Sequence, residues 1–178
     1  MSYTQAEKLQ LLMLCDIYKA LGIKNSFDPN LIDEAVSTDN TWAIGWQYQS
    51  LNDGSEKPAH VKLFADTVEM YEMLEYTYSQ MSAQDKAHVA TAIPYFNPKT
   101  SLTFPGFDGN NEPEYRSVGE IFKLMGLWQN VDLTRNSHSQ KADMYQDMLD
   151  IYTPARKNTF SHGEPPRESW RLNSLRER

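Results

Sequence analysis

One segment limits the fold more than any other. From about Pro58 to Met81, Phe64, Thr67, Val68, Tyr71, Leu74, Tyr78 and Met81 recur in a near-heptad stripe, which Met70, Met73 and Tyr76 widen. Steps of three and four are the period of a helix and not of a strand. A helix that is apolar on more than one side must be central in its domain or lie at a subunit contact. Asp66, Glu69, Glu72 and Glu75 follow the same segment at three-residue steps and read as its solvated face.

Helical punctuation recurs on both sides of this segment. Thr4 with Glu7 has the form of a capping box. Leu11, Leu14, Cys15, Tyr18 and Leu21 keep helical spacing up to Gly22, a C-terminal cap. Cys15 on that stripe reads as a small core residue and not as a nucleophile. Asp28-Pro29 opens a short helix through Asn30–Val36. Asp39-Asn40 reads as the cap of a segment Thr41–Tyr48, whose alternation also fits a strand. Asn52-Asp53-Gly54-Ser55 is a turn. Ser82 with Asp85 caps Ala83–Ile93, which stops before Pro94. Further helices are predicted over about Pro113–Asn130 and Ser139–Tyr152, the second capped by Ser137 or Ser139 and ended by Pro154. Gly119 and Gly126, seven apart, are expected on one face, where another backbone can come close.

Between Pro94 and Pro113 the helical plan breaks. Asn97-Pro98, Pro105-Gly106 and Asp108-Gly109 are turn-forming pairs. Tyr95, Phe96, Phe104 and Phe107 argue that the stretch is ordered and packed, with Ser101–Phe104 as a short extended piece. A loop of this length in a compact domain carries a function or is disordered. The expected fold class is therefore all-α: a compact multi-helix domain of about six to seven helices over residues 1–154, with one long ordered loop. A basic tail, expected to be flexible, follows over residues 155–178. In it Trp170, Leu172 and Leu175 are spaced to form a short helix on a partner.

Charge divides in the same place. Residues 1–154 hold 11 Lys/Arg against 21 Asp/Glu, a net −10; residues 155–178 hold 6 against 3, a net +3. An acidic body repels phosphate backbones, so nucleic acid is not an expected partner except through the tail. One cysteine excludes an internal disulfide framework and favours a reducing compartment. The first residues carry no signal-peptide pattern, and no apolar run nears the roughly 18–20 residues of a membrane span. The expected location is cytoplasmic, without membrane contact.

Catalytic patterns are hard to find. His60, His88, His138 and His162 are scattered, without HExxH or CxxC, so no metal site is assigned. Asp85–His88 is a single carboxylate–imidazole pair, which reads as surface polarity. Asp108, Asn110, Glu112 and Glu114 alternate like a calcium loop, but Pro113 and Gly119 stand where that loop needs glycine and glutamate. No GxxxxGK[ST], GxGxxG or GxSxG occurs. Ser137, His138 and Ser139 are sequence neighbours, and the serines serve as caps. Neither catalytic residues nor cofactors are assigned.

Several strings resemble the YfbU family of bacterial proteins: Trp42–Tyr48, Val68–Tyr71, Phe104–Glu112 with Tyr115, and Asn136–Ser139 with Met144-Tyr145 and Met148-Leu149. The resemblance covers about Thr4 to Ala155. It implies an all-helical, cytoplasmic protein that self-associates, and it carries over no catalytic residue.

Two expectations for function follow. The first is a non-enzymatic, homo-oligomeric interaction or regulatory module, with a further protein partner allowed. The second is a small-ligand binder or enzyme built on the Phe104–Tyr115 loop. Asp108, Asn110, Asn111, Glu112 and His138 would supply its polar groups, and Phe104 and Phe107 its walls. Against the second stands a plain structural reading. Asp108 to Asn111 would make a turn and cap the Pro113 helix, while the phenylalanines plug the core.

Overall fold

The computed structural model describes residues 3–24 and 26–159, the side chains of 157–159 excepted. These residues form an all-α fold of eight α-helices, six of them seven residues or longer. Their order is α1 (Gln5–Leu21), α2 (Pro29–Ser37), α3 (Trp42–Gln47), a 3-10 turn (Gln49–Leu51), α4 (Ala59–Gln80), α5 (Ala83–Ala92), α6 (Pro98–Ser101), α7 (Pro113–Leu124) and α8 (Ala142–Thr159). The chain divides into two compact units. Among the described residues, one consists of those up to Phe64 with Gly106–Gln140; the other consists of Ala65–Pro105 with residues 141–159.

Local signals set most helix ends. Thr4 and Glu7 form the reciprocal capping box at the start of α1. Gly22 ends that helix at φ 65°, and the Ile23 N–H donates to the Tyr18 carbonyl. The Asp28 carboxylate caps α2 by accepting from the Asn30 N–H, and Ser82 Oγ caps α5 by accepting from the Asp85 N–H.

In the first unit, Leu31, Ala35 and Val36 of α2 pack with Ala43 and Ile44 of α3 and Ile121 of α7. Leu11 and Leu12 of α1 cover this cluster. Phe122 lies in an aromatic nest, with the rings of Trp42, Trp46, Phe64 and Trp128 between 5.2 and 5.8 Å away. Each large side chain buried in this way contributes about 1.5–3 kcal/mol. In the second unit, Tyr71 of α4 meets Tyr145 of α8 edge to face at 6.0 Å, and Phe104 packs beside both.

Several expectations are corrected. The segment at Trp42 is a helix, but Asp39-Asn40 does not cap it: Thr41 is at the N-cap position and makes no side-chain capping bond. The Asn40 amide donates instead to Ser117 Oγ on α7 and to Thr38, and its oxygen accepts from the Trp42 indole. A tertiary partner outcompeted the local cap. Helix α7 ends at Leu124 and not near Asn130. Gly126, at φ 70°, closes it: its N–H donates to the Lys123 carbonyl and that of Leu127 to the Phe122 carbonyl. Gly126 is thus a helix stop and does not share a face with Gly119. Gly119 does admit a neighbouring backbone, since a Cβ there would lie 2.3 Å from the Leu133 carbonyl oxygen.

The supposed extended piece at Ser101 is the end of α6, which Asn97 caps. Tyr95 is exposed, at φ 60°, unlike the buried Phe104 and Phe107. Helix α8 starts at Ala142, beyond both serines, and Ser137 Oγ donates to the Ser139 carbonyl.

Two corrections concern charge. Thr67, Val68, Glu69 and Met70 are four consecutive buried residues, so α4 is enclosed there on every side. Its two-sided apolar pattern is a burial pattern, and Glu69 is not on a solvated face. Pro154 does not end α8, which runs on to Thr159. The turn beyond the proline carries Arg156, whose Nη2 lies 2.5 Å from Glu69 Oε1 in an ion pair. An uncompensated buried carboxylate is costly, and this pairing favours continuing the helix past a residue that lacks an N–H. The helix expected at Trp170–Leu175 lies outside the described residues.

Candidate functional site

The loop that interrupts the helices is held from both ends. Gly106 sits at φ 83°, and a Cβ there would lie 1.8 Å from the Arg135 carbonyl oxygen, so only glycine fits. This approach brings residues 106–109 alongside residues 135–138. Phe107 and Asn136 form a parallel bridge, and the Ser137 N–H donates to the Phe107 carbonyl at 3.0 Å. Asn136 Oδ1 accepts from the N–H groups of Gly109 (3.2 Å) and His138 (2.8 Å).

Asp108 organises the turn that follows. Its carboxylate accepts from the Asn111 side-chain amide at 2.6 Å and from the Asn110 and Asn111 N–H groups. These bonds favour the charged form and hold the carboxyl below the usual carboxylate range; the Asn111 side chain has the largest effect, and His138 helps through its charge. Glu112 is buried, and its Oε2 accepts from the Asp108 N–H at 2.9 Å. The turn is therefore tied to itself, but Asp108 does not cap α7; Glu112 stands at the N-cap position, and its side chain makes no capping bond to the helix.

Behind the turn is a cavity of about 140 Å³. Phe107 forms one wall, stacked on Tyr115 with ring centroids 3.9 Å apart and 1° between planes, and on Phe64 at 5.3 Å. Leu133 adds an apolar side, and Glu112, Thr134 and Asn136 add polar ones. Arg116 and Arg135 complete the lining. Among the expected site residues, Phe107 and Glu112 line the cavity, whereas Asp108, Asn110 and Asn111 build the turn. His138 is exposed at φ 55° beside it. Phe104 belongs to the other unit, buried against Tyr71 and Tyr145. Thr134 and Arg135 were not identifiable as site residues, because they reach the loop only through the Gly106 and Gly119 approaches; Arg116 is on α7, next to Tyr115, and nothing in its local pattern marked it.

A second surface lies on α1. Leu9, Met13, Leu14, Ile17 and Leu21 are 51–70% exposed. At about 100° per residue they fall within an arc of about 140°, interrupted only by Gln10. Leu11, Leu12 and Cys15 face the other way, into the core. Burial raises the Cys15 thiol pKa, with Asp33 adding to it, which keeps the thiol protonated and unreactive.

Comparison with family models decides the kinship: the YfbU domain matches residues 1–164. The chain belongs to the YfbU family. The match extends past Ala155 through the end of α8, so the Arg156–Glu69 pair falls inside the YfbU domain. Two of the strings that pointed to YfbU, Phe104–Glu112 and Asn136–Ser139, build the loop and its Asn136 partner. No curated protein and no solved structure matches the chain. No described helix of this YfbU domain is long and apolar enough to cross a membrane.

Proposed function

We propose that this YfbU-family chain is a self-associating interaction module whose subunit contact is the outer face of α1. The observation that carries the proposal is the row Leu9, Met13, Leu14, Ile17 and Leu21, exposed on a helix whose opposite side is already packed. These side chains offer on the order of 500 Å² of apolar surface, at the upper end of what a monomer leaves in water. A two-fold pair covering it on both copies would bury about 1,000 Å², the lower bound for a specific interface. One helix face meeting itself satisfies the self-complementarity that two-fold symmetry demands. Ile23 and Phe27, also exposed, line an open cleft at the end of α1 that extends the surface a second copy can meet.

The test is the mass in solution. Light scattering should give a dimer or larger for the parent chain and a monomer for Met13→Glu/Ile17→Glu. The melting of the monomeric unit should change little, because both positions are solvent-exposed. Added salt should strengthen the parent's association, since it screens the repulsion between copies of net charge −7. A parent chain that stays monomeric at high concentration refutes the proposal, and so does a variant that keeps the parent's mass.

A further inference from the structure

The cavity behind the Phe107 turn has a chemistry of its own, independent of self-association. Its volume, about 140 Å³, is close to the roughly 150 Å³ of an apolar cavity that accepts one benzene ring. Phe64, Phe107 and Tyr115, stacked on one another, line the cavity and give it an aromatic side.

The charges at the lining are two arginines against one glutamate. Glu112 is buried and already accepts the Asp108 N–H. Arg116 and Arg135 are exposed, and neither takes part in an ion pair among the described residues. Both differ in this from Lys8, Lys19, Lys123 and Arg156, which have acidic partners. Guanidinium groups suit a carboxylate because their donors match its two oxygens. Thr134 and Asn136 add neutral polar groups to the same wall.

We propose that this cavity binds a small aromatic carboxylate. The ring sits against Phe107 and Tyr115, and the carboxylate is held by Arg116 and Arg135. An aliphatic acid fills the ring space less well, and an inorganic anion leaves it empty.

The probe is sodium benzoate, titrated into the full chain by calorimetry or by following amide shifts at residues 107–116 and 133–136. Benzoate should bind saturably at one site. Benzamide keeps the ring and loses the charge, and it should bind at least about tenfold more weakly, since charge-assisted bonds exceed neutral ones. Arg116→Ala/Arg135→Ala should weaken benzoate by at least about tenfold with unchanged melting, because both side chains are exposed. Met13→Glu/Ile17→Glu should bind benzoate like the parent, which keeps this test separate from the oligomer. Four results overturn the proposal: no saturation by about 10 mM, benzamide equal to benzoate, the double arginine variant equal to the parent, or inorganic phosphate outcompeting benzoate at equal concentration.

Discussion

Gly119→Ala sets two well-known effects against each other at one residue. Gly119 is in the interior of α7, where alanine is the better helix former by about 0.8–1 kcal/mol. On a solvent-facing helix the substitution would therefore stabilise the protein. Here the added Cβ would stand 2.3 Å from the Leu133 carbonyl oxygen, 3.1 Å from its carbon and 3.3 Å from Phe64 Cζ. The first two neighbours are backbone and cannot swing aside. Residues near 133 must retreat, yet Leu133 is buried, and the chain three residues on is bonded to the loop through Asn136. Overpacking of this kind costs about 1–3 kcal/mol, and contact with main chain belongs at the upper end. The net is a loss of about 2 kcal/mol. For a chain of this size that lowers the melting temperature by about 4–8 °C. Thermal and urea unfolding followed by circular dichroism measure it. An unchanged or raised melting temperature would mean that the α7–Leu133 approach is not as close as described, and the reasoning would fail.

Other outcomes follow from the same structure. Arg156→Ala removes the partner of a buried carboxylate whose own side chain is 4% exposed, but Arg156 is 22% exposed, so the cost should be about 2–3 kcal/mol and not the full 3–5. Glu69→Leu/Arg156→Leu should recover most of it in urea unfolding, and a single-variant loss below about 0.5 kcal/mol would show the pair to be a surface contact. Burial depresses the His60 pKa, partly opposed by Glu114, so the neutral ring is favoured in the fold. The unfolded chain then takes up the proton first, and stability is lost as pH falls through about 6.5 toward the lower folded value. His60→Gln should flatten the melting curve between about pH 7.5 and 5.5, and an equal slope in both proteins would contradict the assignment. The Asp108 carboxyl acts in a separate window. Its folded pKa is also lowered, so its contribution is present above the ordinary carboxylate range and disappears only as pH falls below it. Asp108→Asn should reduce the acid sensitivity seen below about pH 4 and leave the His60 window intact.

Much of the secondary structure could be read from neighbouring residues. The Thr4–Glu7 box, the Gly22 stop, the Asp28-Pro29 start and the Ser82 cap are interactions within a few positions, and each forms as expected. The loop was also visible, since Pro105-Gly106 and Asp108-Gly109 cannot continue a helix. Some expectations failed on local signals, as at the Gly126 stop of α7 and the Asn97 cap of α6; at two other places a distant group had intervened. Asn40 left its local cap for Ser117, and the turn after Pro154 persists where Arg156 meets Glu69.

Period alone could not tell which apolar side of a helix is covered. The long α4 pattern suggested either a centre or a contact, and burial on all sides from Thr67 to Met70 answers for the centre. The outward apolar row belongs to α1, where Leu14 and Leu21 looked like core positions. A residue's spacing records which neighbours share its face, whereas only packing records whether anything covers that face. The same holds for the loop. Its turn is encoded by its own residues, but its cavity exists only because Gly106 and Gly119 let residues 133–136 come close enough to bring Arg135 and Asn136 beside Phe107. Capping and turn formation are short-range and follow from adjacent residue types; cavities, buried charges and exposed faces depend on residues far apart in the chain, and those are decided when the helices pack.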